Sequence, residues 1–180
     1  MPDKNLLNKP YSDNIIFFDT EFTSLVPKEG ELLSLGMVKF TGEELYLELE
    51  YEGKNLDPWV EKKVLPALSG QKVSKDEAQK IIADFVGDAK PYLVAYVNQF
   101  DAIYWYDLFD SPKDHPAQWI PIDFASILFA NGFDPGSPGK DSFLKMLGIN
   151  SGDYIMHNAL HDARMLKEMY FKFFEHINTI

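Results

Sequence analysis

The chain has 180 residues, no cysteine, and 28 acidic against 17 basic residues, a formal charge of −11. A chain of this length can bury a core without disulfide or zinc staples, and the missing cysteines exclude thiolate metal sites, disulfide frameworks and cysteine nucleophiles. The charge speaks against a protein that grips long duplexes, because such proteins usually carry a basic surface.

An apolar fraction of 46% and an aromatic fraction of 14% predict a packed core. The expectation is one domain over residues 1–180, led by a polar N-terminal arm at 1–13. That start, MPDKNLLNKPYSDN, is no signal peptide. No uncharged apolar stretch approaches the roughly 18 residues of a membrane span. The sequence therefore reads as a soluble, unexported, cytoplasmic protein with no membrane partner.

Taken in chain order, Ile15-Ile16-Phe17-Phe18 followed by Asp19-Thr20-Glu21-Phe22 predicts a buried strand with two acids set into it. A second strand is expected from Leu32 to Phe40, ending at Thr41-Gly42. In the third, Leu45, Leu47, Leu49 and Tyr51 alternate with Tyr46, Glu48 and Glu50, the period of a half-exposed strand. Asp57-Pro58 is an N-cap and N1 pair opening a short helix that Pro66 ends. Ser74-Lys75-Asp76-Glu77 is a capping box, with Ala78, Ile81, Ile82 and Phe85 on one helical face. Tyr92 to Val97 lacks polar alternation, as a central strand would, and a helix carrying Ile103, Tyr104 and Leu108 follows. Pro121 to Ile127 predicts a short strand running into a helix, Asn131 to Gly139 a loop, and Phe143 to Leu147 a small helix closed by Gly148. Ala159, Ala163, Leu166, Tyr170 and Phe173 recur at helical spacing in the last element. A three-strand antiparallel meander plus parallel strands makes one mixed five-stranded α/β sheet flanked by helices.

An acid two positions from another acid says little by itself; Glu29/Glu31 and Glu48/Glu50 share the spacing. Asp19 and Glu21 stand out because they sit in an apolar strand between Phe18 and Phe22, and residues i and i+2 of a strand share a face. Two buried like charges need a compensating cation, and Mg²⁺ and Mn²⁺ favour carboxylate oxygen. The bland reading is a solvated pair at a strand end. Asp101 comes just after the Tyr92–Val97 strand, where open α/β sheets place ligands, or else it caps the next helix. His157 and Asp162 flank Asn158, a good N-cap, which sets the His on a loop and the Asp in the first helical turn. That pairing suits metal-assisted hydrolysis with the imidazole as base, or it merely complements the helix dipole. His115, His161 and His176 lack comparable partners.

Together, Asp19-Thr20-Glu21, Asn98-Gln99-Phe100-Asp101 and His157-Asn158-Ala159-Leu160-His161-Asp162-Ala163 resemble the three motifs of the DEDDh (DnaQ-like, RNase T-like) 3′-to-5′ exonucleases in order, distance and H-x4-D spacing, over residues 14–174. The helix Ser142 to Ile149 is similar to the one before the third motif. Leu33-Ser34-Leu35-Gly36 and the stretch from Asp57-Pro58-Trp59-Val60 to Pro66 look most like the small bacterial exoribonuclease domain first recognised in mycobacteria. The resemblance implies an RNase H-like fold, with Asp19, Glu21, Asp101 and Asp162 holding two Mg²⁺ or Mn²⁺ ions and His157 deprotonating the attacking water. It implies single-stranded RNA or DNA as partner, shortened from the 3′ end to nucleoside 5′-monophosphates, and a homodimer. Phe22, Thr23 and Asn98 would contact the terminal nucleotide, and Phe100 or Tyr104 would stack a base, or these aromatics belong to the core. Phe22-Thr23-Ser24 stands where the replicative form has Thr-Thr-Gly, and Val97 where His often precedes the Asn.

Two other readings compete. One is an acidic binding module that mimics nucleic acid or docks a basic partner, its acids spread over the surface. The other uses the same metal site on short oligonucleotides or small phosphodiesters, which need few phosphate contacts.

Overall fold

A computed structural model describes residues 13–68, 70–111 and 113–178; apart from Asp13, the arm expected at 1–13 lies outside them. The apolar run at the start forms β1 (Ile15–Phe22), which pairs antiparallel with β2 (Leu32–Lys39), as β2 does with β3 (Glu44–Leu49). β5 (Tyr92–Ala95) runs parallel to β1 and β6 (Ile122–Asp123) parallel to β5. The remaining strand, β4 (Lys72–Val73), runs parallel to β3, and the mixed sheet has the order β4-β3-β2-β1-β5-β6. The sheet thus has six strands where five were expected. β4 is two residues long, too short for any period to show, and is defined by its pairing with Glu48 and Leu49.

Six α-helices flank the sheet among the described residues: α1 (Pro58–Lys63), α2 (Lys75–Val86), α3 (Gln99–Leu108), α4 (Phe124–Ala130), α5 (Asp141–Leu147) and α6 (Ala159–Ile177). Their starts follow local chemistry. Asp57 Oδ1 accepts from Trp59 N at 2.7 Å, Ser74 Oγ from Glu77 N at 3.3 Å and Asn158 Oδ1 from His161 N at 3.2 Å, each occupying an amide that the first turn leaves unpaired. Among these residues no helix is long and apolar enough to cross a membrane.

Strand alternation splits the core. Ile15 and Phe17 face α4, α5 and α6, with Phe17 edge-on to Tyr170 at 5.1 Å; Ile16 and Phe18 face α2 and α3, with Phe18 edge-on to Trp105 at 5.9 Å. The same parity carries Asp19 and Glu21 to the α6 side. Opposite Asp19 on β2 stands Gly36. A Cβ there would lie 2.3 Å from the Ala159 carbonyl and the Leu160 nitrogen, so the first turn of α6 rests directly on the strand. Gly36→Ala must push that backbone away. We expect a loss of about 1–3 kcal/mol by overpacking, read by urea unfolding.

Three local expectations need correction. The central strand stops at Ala95, not Val97, because Val97 takes a left-handed φ of 57° and leaves the sheet. β3 is exposed or half-buried over Glu44–Tyr46, but Glu48, expected to face out, is only 3% exposed, since its Oε1 accepts from Gly70 N at 2.8 Å and Tyr46 OH at 2.9 Å under the segment that leads to β4. The third concerns Tyr104, expected to stack a base: like Trp105 and Leu108 it is buried on the inner face of α3, while Ile103 of the expected helix is exposed.

Candidate metal centre

The site arises where two neighbours of β1 part company. β2 follows β1 as far as Phe22, but β5 pairs with it only through Phe17. Beyond that point the outward amide of Thr20 has no strand to meet. Asp101, in the first turn of α3, fills the place: its Oδ1 accepts from Thr20 N at 2.9 Å and from Thr20 Oγ1 at 2.7 Å. Its Oδ1 is therefore given to β1, which ties the first turn of α3 to that strand. A register shift at Glu21/Phe22 turns the end of β1, as bulges beside sites commonly do. From the other side, the close seat of α6 on Gly36 delivers Asp162, whose Oδ2 accepts from His157 N at 2.9 Å. His157 has a left-handed φ of 62°, and its ring lies edge-on to Trp59 at 4.7 Å.

Asp19, Glu21, Asp101, Asp162 and His157 line a single cleft of about 520 Å³. Met165, Leu166 and Met169 of α6 form an apolar floor. None of the ion pairs among the described residues reaches any of the four acids. Burial, then the charges of Asp101, Glu21 and Asp162, hold the Asp19 carboxyl well above its usual range. Burial and the charges of Asp162 and Asp101 push Glu21 from the ordinary 4.5 to about 8. Burial lifts Asp101 to about 6 against the Thr20 hydrogen bonds, and Asp162 to about 6 against that from His157. The His157 imidazole is lowered by burial and by the charge of Lys63.

Four crowded carboxylates without a cation fit a divalent ion that prefers oxygen, such as Mg²⁺ or Mn²⁺. Among the described residues the group whose ligand atoms lie within 4.8 Å of one another is Glu21, His157 and Asp162; Asp19 and Asp101 line the same cleft but fall outside that group.

No family model matches the chain, and no curated protein matches it. A chain of the solved structure titled "Structure of yeast NOT1 MIF4G domain co-crystallized with CAF1" is similar to it, with a TM-score of 0.58 at 12% identity, covering 93% of this chain and 81% of that one. A likeness at that identity carries a fold and nothing more. These findings overturn the expected membership of the DEDDh exonucleases, and with it the narrower likeness to the mycobacterial-type exoribonuclease domain. The spacing of the motifs located a cleft; it did not establish a family.

Of the residues expected to contact a nucleotide, Phe22 and Phe100 line the cleft, whereas Thr23, Asn98 and Tyr104 do not. Thr23 is buried, and its Oγ1 accepts from Glu31 N at 2.9 Å. Tyr104 is 2% exposed, stacked on Phe22 at 4.4 Å, and donates to the Ser24 carbonyl at 2.5 Å, so it supports the wall from behind. Sequence reasoning missed Leu25, Trp59 and Met156 on the rim, which are 64%, 51% and 48% exposed. The usable signal was the tryptophan itself, placed directly after an Asp-Pro cap.

The four raised carboxyls fix the pH response of the metal-free protein. Glu21, Asp101 and Asp162 titrate at about 8, 6 and 6 in the folded chain against ordinary values near 4, and Asp19 is raised in the same direction, so between those values the native chain binds more protons than the unfolded one. Stability therefore falls as pH rises through that window. Melting in EDTA should drop by several degrees from pH 5 to pH 8.5, and saturating Mg²⁺ should remove most of the slope. A melting temperature independent of pH in EDTA would contradict the crowding.

Proposed function

We propose that the chain is a metal-dependent 3′-to-5′ exonuclease that acts on single-stranded RNA and releases nucleoside 5′-monophosphates. One observation carries this reading: four carboxylates from three separate segments turn onto one cleft, and none of the ion pairs among the described residues reaches them. An acidic binding module does not require such convergence. The finer reading of the fold, an RNase H-like sheet, belongs to the same proposal and is supported by an antiparallel meander joined through β1 to parallel strands.

Asp19, Glu21, Asp101 and Asp162 would hold Mg²⁺ or Mn²⁺. Bound there, the metal supplies a Lewis acid for the phosphoryl group and makes water a stronger nucleophile at neutral pH. His157, kept neutral by burial and by Lys63, takes the proton of the attacking water. The new bond joins water oxygen to the terminal phosphorus. The bond that breaks is that phosphorus to the 3′ oxygen of the preceding nucleotide, which leaves as the new 3′ hydroxyl. Phe22 and Phe100 present apolar surface to the base, and the Met165–Met169 floor excludes solvent beneath it.

The test is digestion of end-labelled 20-mer RNA and DNA and of dinucleotides with Mg²⁺, Mn²⁺ or EDTA, with the released mononucleotides identified. Stepwise loss of 5′-monophosphates from the 3′ end, stopped by EDTA, is expected. No release with either metal, or release from the 5′ end, would sink the reading. Rates confined to dinucleotides would assign the cleft to small substrates.

A further inference from the structure

Asp123 ends β6 and caps α4, yet its carboxylate reaches further than a cap requires. Oδ2 accepts from Ser126 N at 3.0 Å and Ser126 Oγ at 2.7 Å, and Oδ1 from Ala125 N at 3.2 Å, which completes the cap. The same Oδ1 also accepts from Val97 N at 3.0 Å, across the β5–β6 pairing in which Ala95 faces Asp123, with Asn98 N at 3.5 Å. Val97 holds a φ of 57°. For a β-branched residue that region is strained and persists only where the surroundings impose it. Nothing local in Tyr96-Val97-Asn98 favours it; the anchor comes from β6.

That corner decides where α3 begins. β5 ends at Ala95, α3 opens at Gln99, and Asp101 lies in its first turn with Oδ1 on the edge of β1 that β5 leaves unpaired. The chain from Val97 to Asp101 is too short to absorb a change at the corner without moving the carboxylate. Asp123 itself does not line the cleft, whereas Val97 and Asp101 do. We propose that Asp123 is a positioning residue: by anchoring the Val97 N–H it holds the strained corner that aims Asp101 into the metal centre. The inference rests on the reading of the cleft as a metal site.

Asp123→Ser separates the two duties. A serine remains a good N-cap for α4 but falls one atom short of Val97. Asp123→Asn keeps the reach and an oxygen acceptor. In the full chain, calorimetric titration with Mn²⁺ is expected to show affinity about 10–100-fold weaker for Asp123→Ser, as for other groups that orient a ligand, and nearly unchanged for Asp123→Asn. Hydrogen exchange of the Thr20 amide should accelerate in Asp123→Ser while the amides of α4 stay protected. Val97→Gly added to Asp123→Ser should restore most of the affinity, because glycine adopts the left-handed φ without an anchor. Unchanged Mn²⁺ affinity and Thr20 exchange in Asp123→Ser would overturn the proposal. So would losses spread evenly over the fold and not recovered by Val97→Gly, since Asp123 would then be a cap alone. If the wild-type chain binds no Mn²⁺, the metal-centre reading fails, and the Thr20 exchange still decides whether Asp123 positions Asp101.

Discussion

Asp19→Asn is expected to slow release of mononucleotides on the order of 10³-fold or more while raising the melting temperature of the metal-free protein. The two effects have one cause. The Asp19 carboxyl is displaced upward by burial and by the charges of Asp101, Glu21 and Asp162. The amide keeps the shape and removes the charge, so the repulsion felt by Glu21, Asp101 and Asp162 falls and the apo fold gains. A gain of 1 kcal/mol is worth about 2–4 °C in a chain of this size. The same change takes away a proposed ligand, whose ion would contribute several kcal/mol of transition-state stabilisation, and each 1.36 kcal/mol is about a factor of ten. Initial rates with Mg²⁺ and melting in EDTA measure the two sides. Full activity of Asp19→Asn with Mg²⁺ would remove the exonuclease reading. Asp162→Asn is a less clean probe, because its Oδ2 also holds the His157 amide.

How much of this was open to sequence reasoning depends on the range of the forces involved. Asp19 and Glu21 were legible because strand parity is local: two residues apart on β1 means one face, whatever the sheet does. The caps at Asp57, Ser74 and Asn158 were legible for the same reason, each acting within three residues. Asp101 was readable as a residue near a strand end, but its task was not, since the Thr20 amide it holds is 81 residues away and is open to it because β5 stops pairing at Phe17. Val97 looked like strand because valine favours strands; the carboxylate that bends it lies on β6. Glu48 looked exposed by alternation and is buried because the turn at Gly70 closes over it. Tyr104 sat in a plausible helix, and only the packing of Phe22 against it shows that its ring is occupied. The family assignment failed on different grounds. Short motifs at fixed spacing state which groups can converge, and convergence of carboxylates is a chemical requirement that carries no record of descent.

His157→Ala is expected to lower the rate by about 10²–10⁴-fold, the span of a lost general base, with Mn²⁺ affinity unchanged. The substitution is well isolated. The contact to Asp162 comes from the His157 backbone N–H, which alanine retains. The left-handed φ of 62° strains alanine as it strains histidine, so stability changes little. What disappears is the imidazole packed edge-on against Trp59. Its nearness to Glu21 and Asp162 admits a second role, that of metal ligand, and the titration separates the two. A drop in Mn²⁺ affinity of tenfold or more in parallel with the rate would make His157 a ligand. The chemistry favours the base. Mg²⁺ takes oxygen and keeps water, four carboxylates already supply oxygen in excess of what one imidazole could add, and burial together with the Lys63 charge holds the ring neutral and ready to accept a proton at physiological pH. Zn²⁺, which accepts nitrogen readily, provides the contrast: if His157→Ala weakens Zn²⁺ binding while leaving Mg²⁺ and Mn²⁺ binding intact, the ring is near enough to ligate and is left free to do chemistry by the ion that the carboxylates select.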